Sequence, residues 1–334
     1  PLSVTDIRDD AQLGTLSHLL SVHWNKIQVG DTADHRSLSL ITCVIVSFTD
    51  QHCFCSGAVK VPPHQLCKKG VQDHLEDAIR GLKPINQVSL SISSRTDTGV
   101  HALCNSAHFD LQRRNDKPPF TEDVLVKALN FYLSSEQIRV NRAHRVPDHF
   151  HARYRAQSRT YVYRIALGTG HHSLLPLTES NLCWTLRNTE LDVGAMREAA
   201  ALLVGVHDFS SFRAVNSDMP FKSPVKTLDV ASIQRGGSFA QSHFHREIPF
   251  WELTFTSRSF LYKQVRRMAG ALVGVGQGRL SVPQLKEVLE ARDSLAYPQA
   301  LTAPAHGLFL TRVDYKETDL QHSPQTSCSG NSED

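Results

Sequence analysis

The chain has 334 residues, with 40% hydrophobic and 21% charged side chains and a net charge of +3. That composition supports one large or two average domains, while no apolar run approaches the ~18 residues that a membrane-spanning helix needs. The seven cysteines, at 43, 53, 55, 67, 104, 183 and 328, form no C-x-x-C pairs, so free thiols in a reducing compartment are expected. Residues 1–40 hold five aspartates against three Lys or Arg and no apolar signal core, unlike an Arg-rich organelle transit peptide. The expectation is an intracellular protein, with mitochondrion, cytoplasm and nucleus left open.

In chain order, β-branched 41–49 reads as a buried strand. Val71, Leu75, Ala78, Ile79 and Leu82 lie at helical spacing within 70–82. Val88, Leu90 and Ile92 alternate in a half-buried strand over 86–93. Residues 121–133 read as a helix with Thr121 as N-cap, acids in its first turn, and Val124, Leu125, Ala128 and Leu129 on one side. Strands follow at 138–146 and 160–167, then a helix at 190–205 stopped by Gly205. Residues 225–233 and 249–257 are strands around a Gly/Ser/Gln/His-rich loop. Helices at 259–276 and 281–293 precede a loop and strand at 303–315. The order is strand, helix, strand, strand, helix, strand, strand, then a similar second half. It predicts an α/β (α+β) fold of two halves with mostly antiparallel sheets, helices on one side and a central cleft. The expected division is an unassigned segment 1–46, an N-terminal half 47–168, a C-terminal half 169–315 and a disordered tail 316–334.

Charge is unevenly spread. Between Arg139 and Arg164 there are seven arginines and one acid, Asp148, so this window carries +6 and the rest of the chain −3. Such a stripe suits phosphate contact, and it equally suits a solvated strand face.

The stretch S-R-T-D-T-G-V-H-A, residues 94–102, carries the chemistry. Asp97-Thr98-Gly99 is the tripeptide of aspartic proteases, which need two carboxylates sharing a proton. The chain holds one such tripeptide, and Arg95 beside it would favour an ionised carboxylate, the wrong state for a shared proton. The alternative is a lone Asp97 acting as nucleophile in a basic pocket.

The extended motif resembles the active-site motif of the TruA family of tRNA pseudouridine synthases. Further blocks agree in family order: 150–165 (FHARYRAQSRTYVYRI), 205–212 (GVHDFSSF), 259–276 (SFLYKQVRRMAGALVGVG) and 303–310 (APAHGLFL). The likeness runs from about residue 54 to 315, with the vertebrate tRNA pseudouridine synthase-like branch as its nearest flavour. It departs from the family at the start, where FCSGAVKVPPHQLCKKGVQ (54–72) keeps only Phe54, Ser56 and Gly57 as an echo of the usual aromatic and glycine turn.

The resemblance implies a pseudouridine synthase-type fold and isomerisation of uridine in tRNA, with Asp97 as the nucleophile. Arg266 would pair with it, with Arg267 as the neighbouring candidate. Tyr161 would stack on the target base, and Arg95 would fill the flipped nucleotide's place or hold its phosphate. His101 and Leu308 are expected at the base pocket, and Tyr163 in the core. Arg153, Arg155, Arg159 and Arg164 are the expected RNA contacts. The paired histidines at 149/151, 171/172 and 243/245 lack a second ligand pair at recognisable spacing, so no metal is expected. No cofactor is expected either. The partner is tRNA, no membrane is involved, and a homodimer is an expectation by resemblance. The competing expectation is a catalytically inactive RNA-binding protein of the same fold, suggested by the departure at the start of the chain.

Overall fold

The computed structural model describes residues 42–50, 57, 69–114, 117–169, 171, 175–187, 189–214, 223–238 and 247–321, all within one compact unit of the chain. Most of the expected segment 1–46 and tail 316–334, with Phe54, Ser56 and three paired histidines (172, 243 and 245), lies outside the described residues.

Among the described residues, ten strands make one mixed sheet. They are β1 (Thr42–Asp50), β2 (Leu90–Ile92), β3 (His101–Leu111), β4 (Ile138–Arg145), β5 (Ser158–Ala166), β6 (Trp184–Thr185), β7 (Gly205–Asp208), β8 (Val225–Gly236), β9 (Phe250–Ser257) and β10 (Leu308–Asp314). The order is β4-β1-β3-β10-β5-β9-β8-β7, with β2 added beside β3 and β6 beside β5. Pairing is antiparallel apart from β5 with β6 and β3 with β10. The β3–β10 seam is short, matching Phe309 to His101 and Leu310 to Ala102. It joins chain segments two hundred residues apart, and the Asp97 loop enters β3 at this seam.

Helices α1 (Val71–Gly81) and α2 (Glu122–Tyr132) cover one face of the first strands. Val71, Leu75, Ala78 and Ile79 of α1 are buried as their spacing predicts, against Val44, Val46, Phe48 and Phe109. Each such aliphatic side chain contributes about 1.5–3 kcal/mol on burial. The apolar stripe of α2 is narrower than expected. Leu125 and Leu129 are buried, whereas Val124 is 47% exposed. On its other face β1 buries Cys43 and Ile45 against Val146, Phe150 and Leu320. A strand covered on both sides reads as a continuous apolar run, which is why 41–49 shows no alternation.

Helices α3 (Val193–Leu203), α4 (Gln264–Gly276) and α5 (Val282–Ala291) build the second core, and a short α6 (Glu317–Leu320) follows β10. Although β5 falls inside 47–168, it pairs with β9 and β10. Its Tyr161, Tyr163 and Ile165 join the core of the later segments. Long-range pairing of this kind leaves no mark on local periodicity. The helix expected from 259 begins at Gln264 instead. Lys263 ahead of it is left-handed (φ 57), and the Gln264 side chain accepts from the Leu261 amide at 2.8 Å, closing the preceding turn. Buried nearly all round, α4 comes so close to residues 299–301 that a Cβ at Gly270 would lie 1.7 Å from the Leu301 carbonyl oxygen.

Candidate active site

The loop carrying Asp97 is held from beneath before it turns. Ser93 donates its amide to the Ser106 carbonyl (2.8 Å) and its hydroxyl to Asn105 Oδ1 (2.9 Å), and Asn105 Nδ2 donates to the Ser94 carbonyl (3.0 Å). Arg159, from β5, is 7% exposed. Its guanidinium donates to Ser94 Oγ (3.2 Å) and to the carbonyls of Ser93 (3.0 Å), Arg153 (2.8 Å) and Arg258 (2.5 Å). One buried cation thus ties three loops together, and a planar five-donor fork is the group able to do it. Gly57 supports the turn itself. At φ +86 its position allows no side chain, since a Cβ there would sit 2.7 Å from the Thr96 carbonyl oxygen and 3.2 Å from the Asp97 carbonyl carbon.

Asp97 keeps 27% of its side chain exposed, and Arg266 Nη1 lies 3.7 Å from its Oδ2. Arg266 is itself fixed: its Nε donates to the Ala303 carbonyl at 2.8 Å, and the Ala303 amide donates to the Arg266 carbonyl at 3.2 Å. The expectation that a neighbouring arginine would leave Asp97 with a strengthened preference for ionisation needs correction. Burial raises its carboxyl above the ordinary aspartate range, and Arg266 and then Lys263 offset only part of that rise. Lys263 is the residue that sequence reading missed. Nothing in its spacing marks it, because the left-handed residue at the head of α4 is set by tertiary packing.

Tyr161 stands on β5 opposite Leu310 of β10, 8% exposed, with the Phe260 ring edge-on at 5.3 Å. Burial pushes its phenol up to about 12; Arg159 opposes this, the negative charge of Asp97 adds to it, and a hydrogen bond with Ser94 opposes it again. The phenol is therefore protonated at neutral pH. Tyr163, two residues on, is fully buried and donates to the Pro304 carbonyl at 2.8 Å. Of the two adjacent arginines on α4, Arg266 faces Asp97. Arg267 is buried and donates to the carbonyls of Ser211 (3.0 Å) and Arg213 (2.7 Å) and to Gln299 Oε1 (2.8 Å).

Other expected site residues lie elsewhere. His101 is 1% exposed, stacked on Phe309 at 4.7 Å, with Nε2 3.0 Å from the Asn181 carbonyl oxygen. Leu308 is 5% exposed within the second core and pairs across the sheet with Tyr163. Both side chains are thus buried, His101 against Phe309 and Leu308 in the second core. Arg159 and Arg164, expected as RNA contacts, both have internal partners. Arg159 is consumed by the loops just described, and Arg164 pairs with Glu179 at 2.8 Å and donates to the carbonyls of Leu182 (3.2 Å) and Gly237 (3.0 Å). Arg155 is half exposed and lies 3.6 Å from Asp319, Arg153 is half-buried, and Arg95 is exposed. Among the described residues no group of three His, Cys, Asp or Glu could hold a metal ion, and no helix is long and apolar enough to cross a membrane.

Comparisons with known proteins converge on one family. The sequence profile described as tRNA pseudouridine synthase matches residues 199–316. The chain is 50% identical over 266 residues to tRNA pseudouridine synthase-like 1 of Xenopus laevis, covering 79% of this chain and 88% of that protein. It is 51% identical over 248 residues to the Homo sapiens protein of the same name, covering 74% and 81%. It is 39% identical over 245 residues to tRNA pseudouridine synthase A of Afipia carboxidovorans, covering 73% and 89%. The chain belongs to the tRNA pseudouridine synthase family, of the TruA type.

Proposed function

We propose that this chain isomerises uridine to pseudouridine in tRNA, with Asp97 as the nucleophile. The observation that carries the proposal is the Asp97–Arg266 pair at 3.7 Å in a loop braced from beneath by Arg159. The family and the activity named for its relatives supply the reaction. In that reaction the bond between ribose C1′ and uracil N1 breaks, the base turns, and C1′ bonds to C5. The C5 proton is lost and N1 gains one, so the change is an isomerisation with no net oxidation.

Whether the carboxylate attacks the sugar, attacks the ring or assists elimination to a glycal, each route starts from ionised Asp97, the state that Arg266 and Lys263 favour against burial. Tyr161 holds its proton, so it is suited to stack on the base and to donate a hydrogen bond. A base worked on in this way must leave its helical stack, and an aromatic face offsets part of that cost. The assembled pair is what a binding protein without catalysis would have no reason to retain. A homodimer belongs to the proposal as well, and light scattering of the purified chain decides it.

Asp97→Ala tests the assignment. Pseudouridine formation in a uridine-containing tRNA transcript falls below detection, while the Kd for the transcript changes little. Activity persisting in the variant would end the assignment.

A further inference from the structure

A column of rings stands beside the Asp97 loop and has no part in the chemistry above. His108 of β3 and His151 lie 4.7 Å apart between centroids, and His151 and Tyr154 lie 4.3 Å apart at 38°. Phe150 closes the inner end edge-on to His108 at 5.9 Å. The column is fixed by the backbone as well as by packing. The Ala152 amide donates to His108 Nδ1 and the Arg153 amide to His151 Nδ1, each at 3.1 Å. The Ala152 carbonyl accepts from the Tyr315 hydroxyl at 2.6 Å. With both Nδ1 atoms accepting and burial lowering both imidazoles from their usual value, the rings are neutral at pH 7. At the outer end Tyr154 is 72% exposed. Its ring is therefore backed on one side by His151 and held in place before anything binds.

The same buried guanidinium, Arg159, bonds the carbonyls of Ser93 and Arg153. Tyr154 follows Arg153 directly, and Arg95 follows Ser93 by two residues, with Asp97 two further on. Arg95 and Arg153 are close enough for their charges to repel. An exposed, pre-positioned aromatic flanked by two cations is what single-stranded RNA recognition requires: a π-face for a base and charge for the phosphate beside it.

We propose that Tyr154 is a stacking platform for a second nucleobase of the RNA, an unpaired neighbour of the uridine presented to Asp97, with Arg95 and Arg153 holding the intervening phosphate. The inference rests on the proposed tRNA substrate and adds a second base contact to it. Stacking on an aromatic is tolerant of base identity, so the platform would fix the strand's path and leave the sequence unread.

Three variants of the full chain test it, with a uridine-containing tRNA transcript as probe. Tyr154→Ala raises Kd about five- to 150-fold, the range that corresponds to loss of one base–aromatic stack. Tyr154→Phe, which keeps the ring, holds Kd within about threefold of wild type, below that range. Tyr154→Trp places an indole on the platform, and adding the transcript quenches its fluorescence beyond the quenching seen in the wild-type chain. Tyr154→Ala binding as wild type does, or Tyr154→Trp gaining no extra quenching while the transcript binds, overturns the proposal. Neither readout needs chemistry. If the wild-type chain binds the transcript and forms no pseudouridine, the catalytic reading fails, and the two binding measurements still decide Tyr154.

Discussion

At the residue scale two aspartates work against the stability of the fold. Asp97 is raised by burial that Arg266 and Lys263 offset in part. Asp50, at the end of β1, is 2% exposed. Burial pushes its carboxyl up to about 7, and the Ala102 backbone across the ladder offsets little of this. A group with a raised folded-state pKa binds its proton more tightly folded than unfolded. Stability is then highest below the unfolded value and falls as pH rises through the interval up to the folded value. For Asp50 that interval runs from the ordinary 3.8 to about 7, so melting temperature should decline from mildly acid to neutral pH. Asp50→Asn should flatten that decline, as a thermal melt series across pH would show. Asp97→Asn should raise Tm at neutral pH, because it removes the charge that burial disfavours, while removing activity. An unchanged or lower Tm would mean that the active-site carboxylate is not held at a cost.

At the element scale the loops around Asp97 depend on a strand residue that makes no contact with the reacting atoms. Arg159→Lys keeps the charge and loses the fork, leaving three ammonium protons for four acceptors, so at least one of Ser94 Oγ and the carbonyls at 93, 153 and 258 is stranded. An unsatisfied buried acceptor costs about 1–3 kcal/mol, so Tm should drop by roughly 2–5 °C. Because the loop carries Asp97, kcat should fall at least about tenfold, with a smaller change in Kd for tRNA, as expected when a reacting group is displaced by a fraction of an ångström. Equal losses in kcat and Kd would show a general weakening of the fold instead of a positioning role.

Much of this scale was legible in the sequence. The stripe of α1 and the strands β8 and β9 follow from periodicity, although β8 runs to Gly236, and the Asp97 motif was read from its resemblance to the family. The role of Arg159 did not follow, because an arginine in a basic stretch reads alike whether it faces phosphate or three carbonyls. Lys263 was hidden in an apparent helix. Gly57 showed as a faint echo whose meaning lies in a contact forty residues away, with the Thr96 carbonyl.

At the scale of the whole molecule the +6 stripe turns out to be mostly internal bracing. Arg139 donates to the carbonyls of Leu133, Glu136 and Ile138 behind α2, Arg145 to that of Phe120, and Arg159 and Arg164 serve the core and Glu179. Arg139, Arg142 and Arg155 are the exposed arginines of this window, Arg145, Arg153 and Arg164 are half-buried, and Arg95 is exposed outside it. The surface this window offers to phosphate is thus smaller than its charge suggests, and a net charge of +3 adds little long-range attraction. Each phosphate neutralised contributes about 0.7–0.9 to the slope of log K against log salt, so two to four contacts give a slope of roughly −1.4 to −3.6. Between 50 and 200 mM salt tRNA affinity should accordingly fall roughly 7- to 150-fold. Arg95→Gln should reduce the slope by about one, as expected for a single phosphate contact. Arg164→Gln should leave it unchanged at temperatures where the variant stays folded, since its guanidinium is spent on Glu179. Filter binding across a salt series separates the two arginines. A slope near zero in the wild-type chain, or an equal change in both variants, would show that RNA is held somewhere other than the rim formed by Arg95, Arg153 and Arg155.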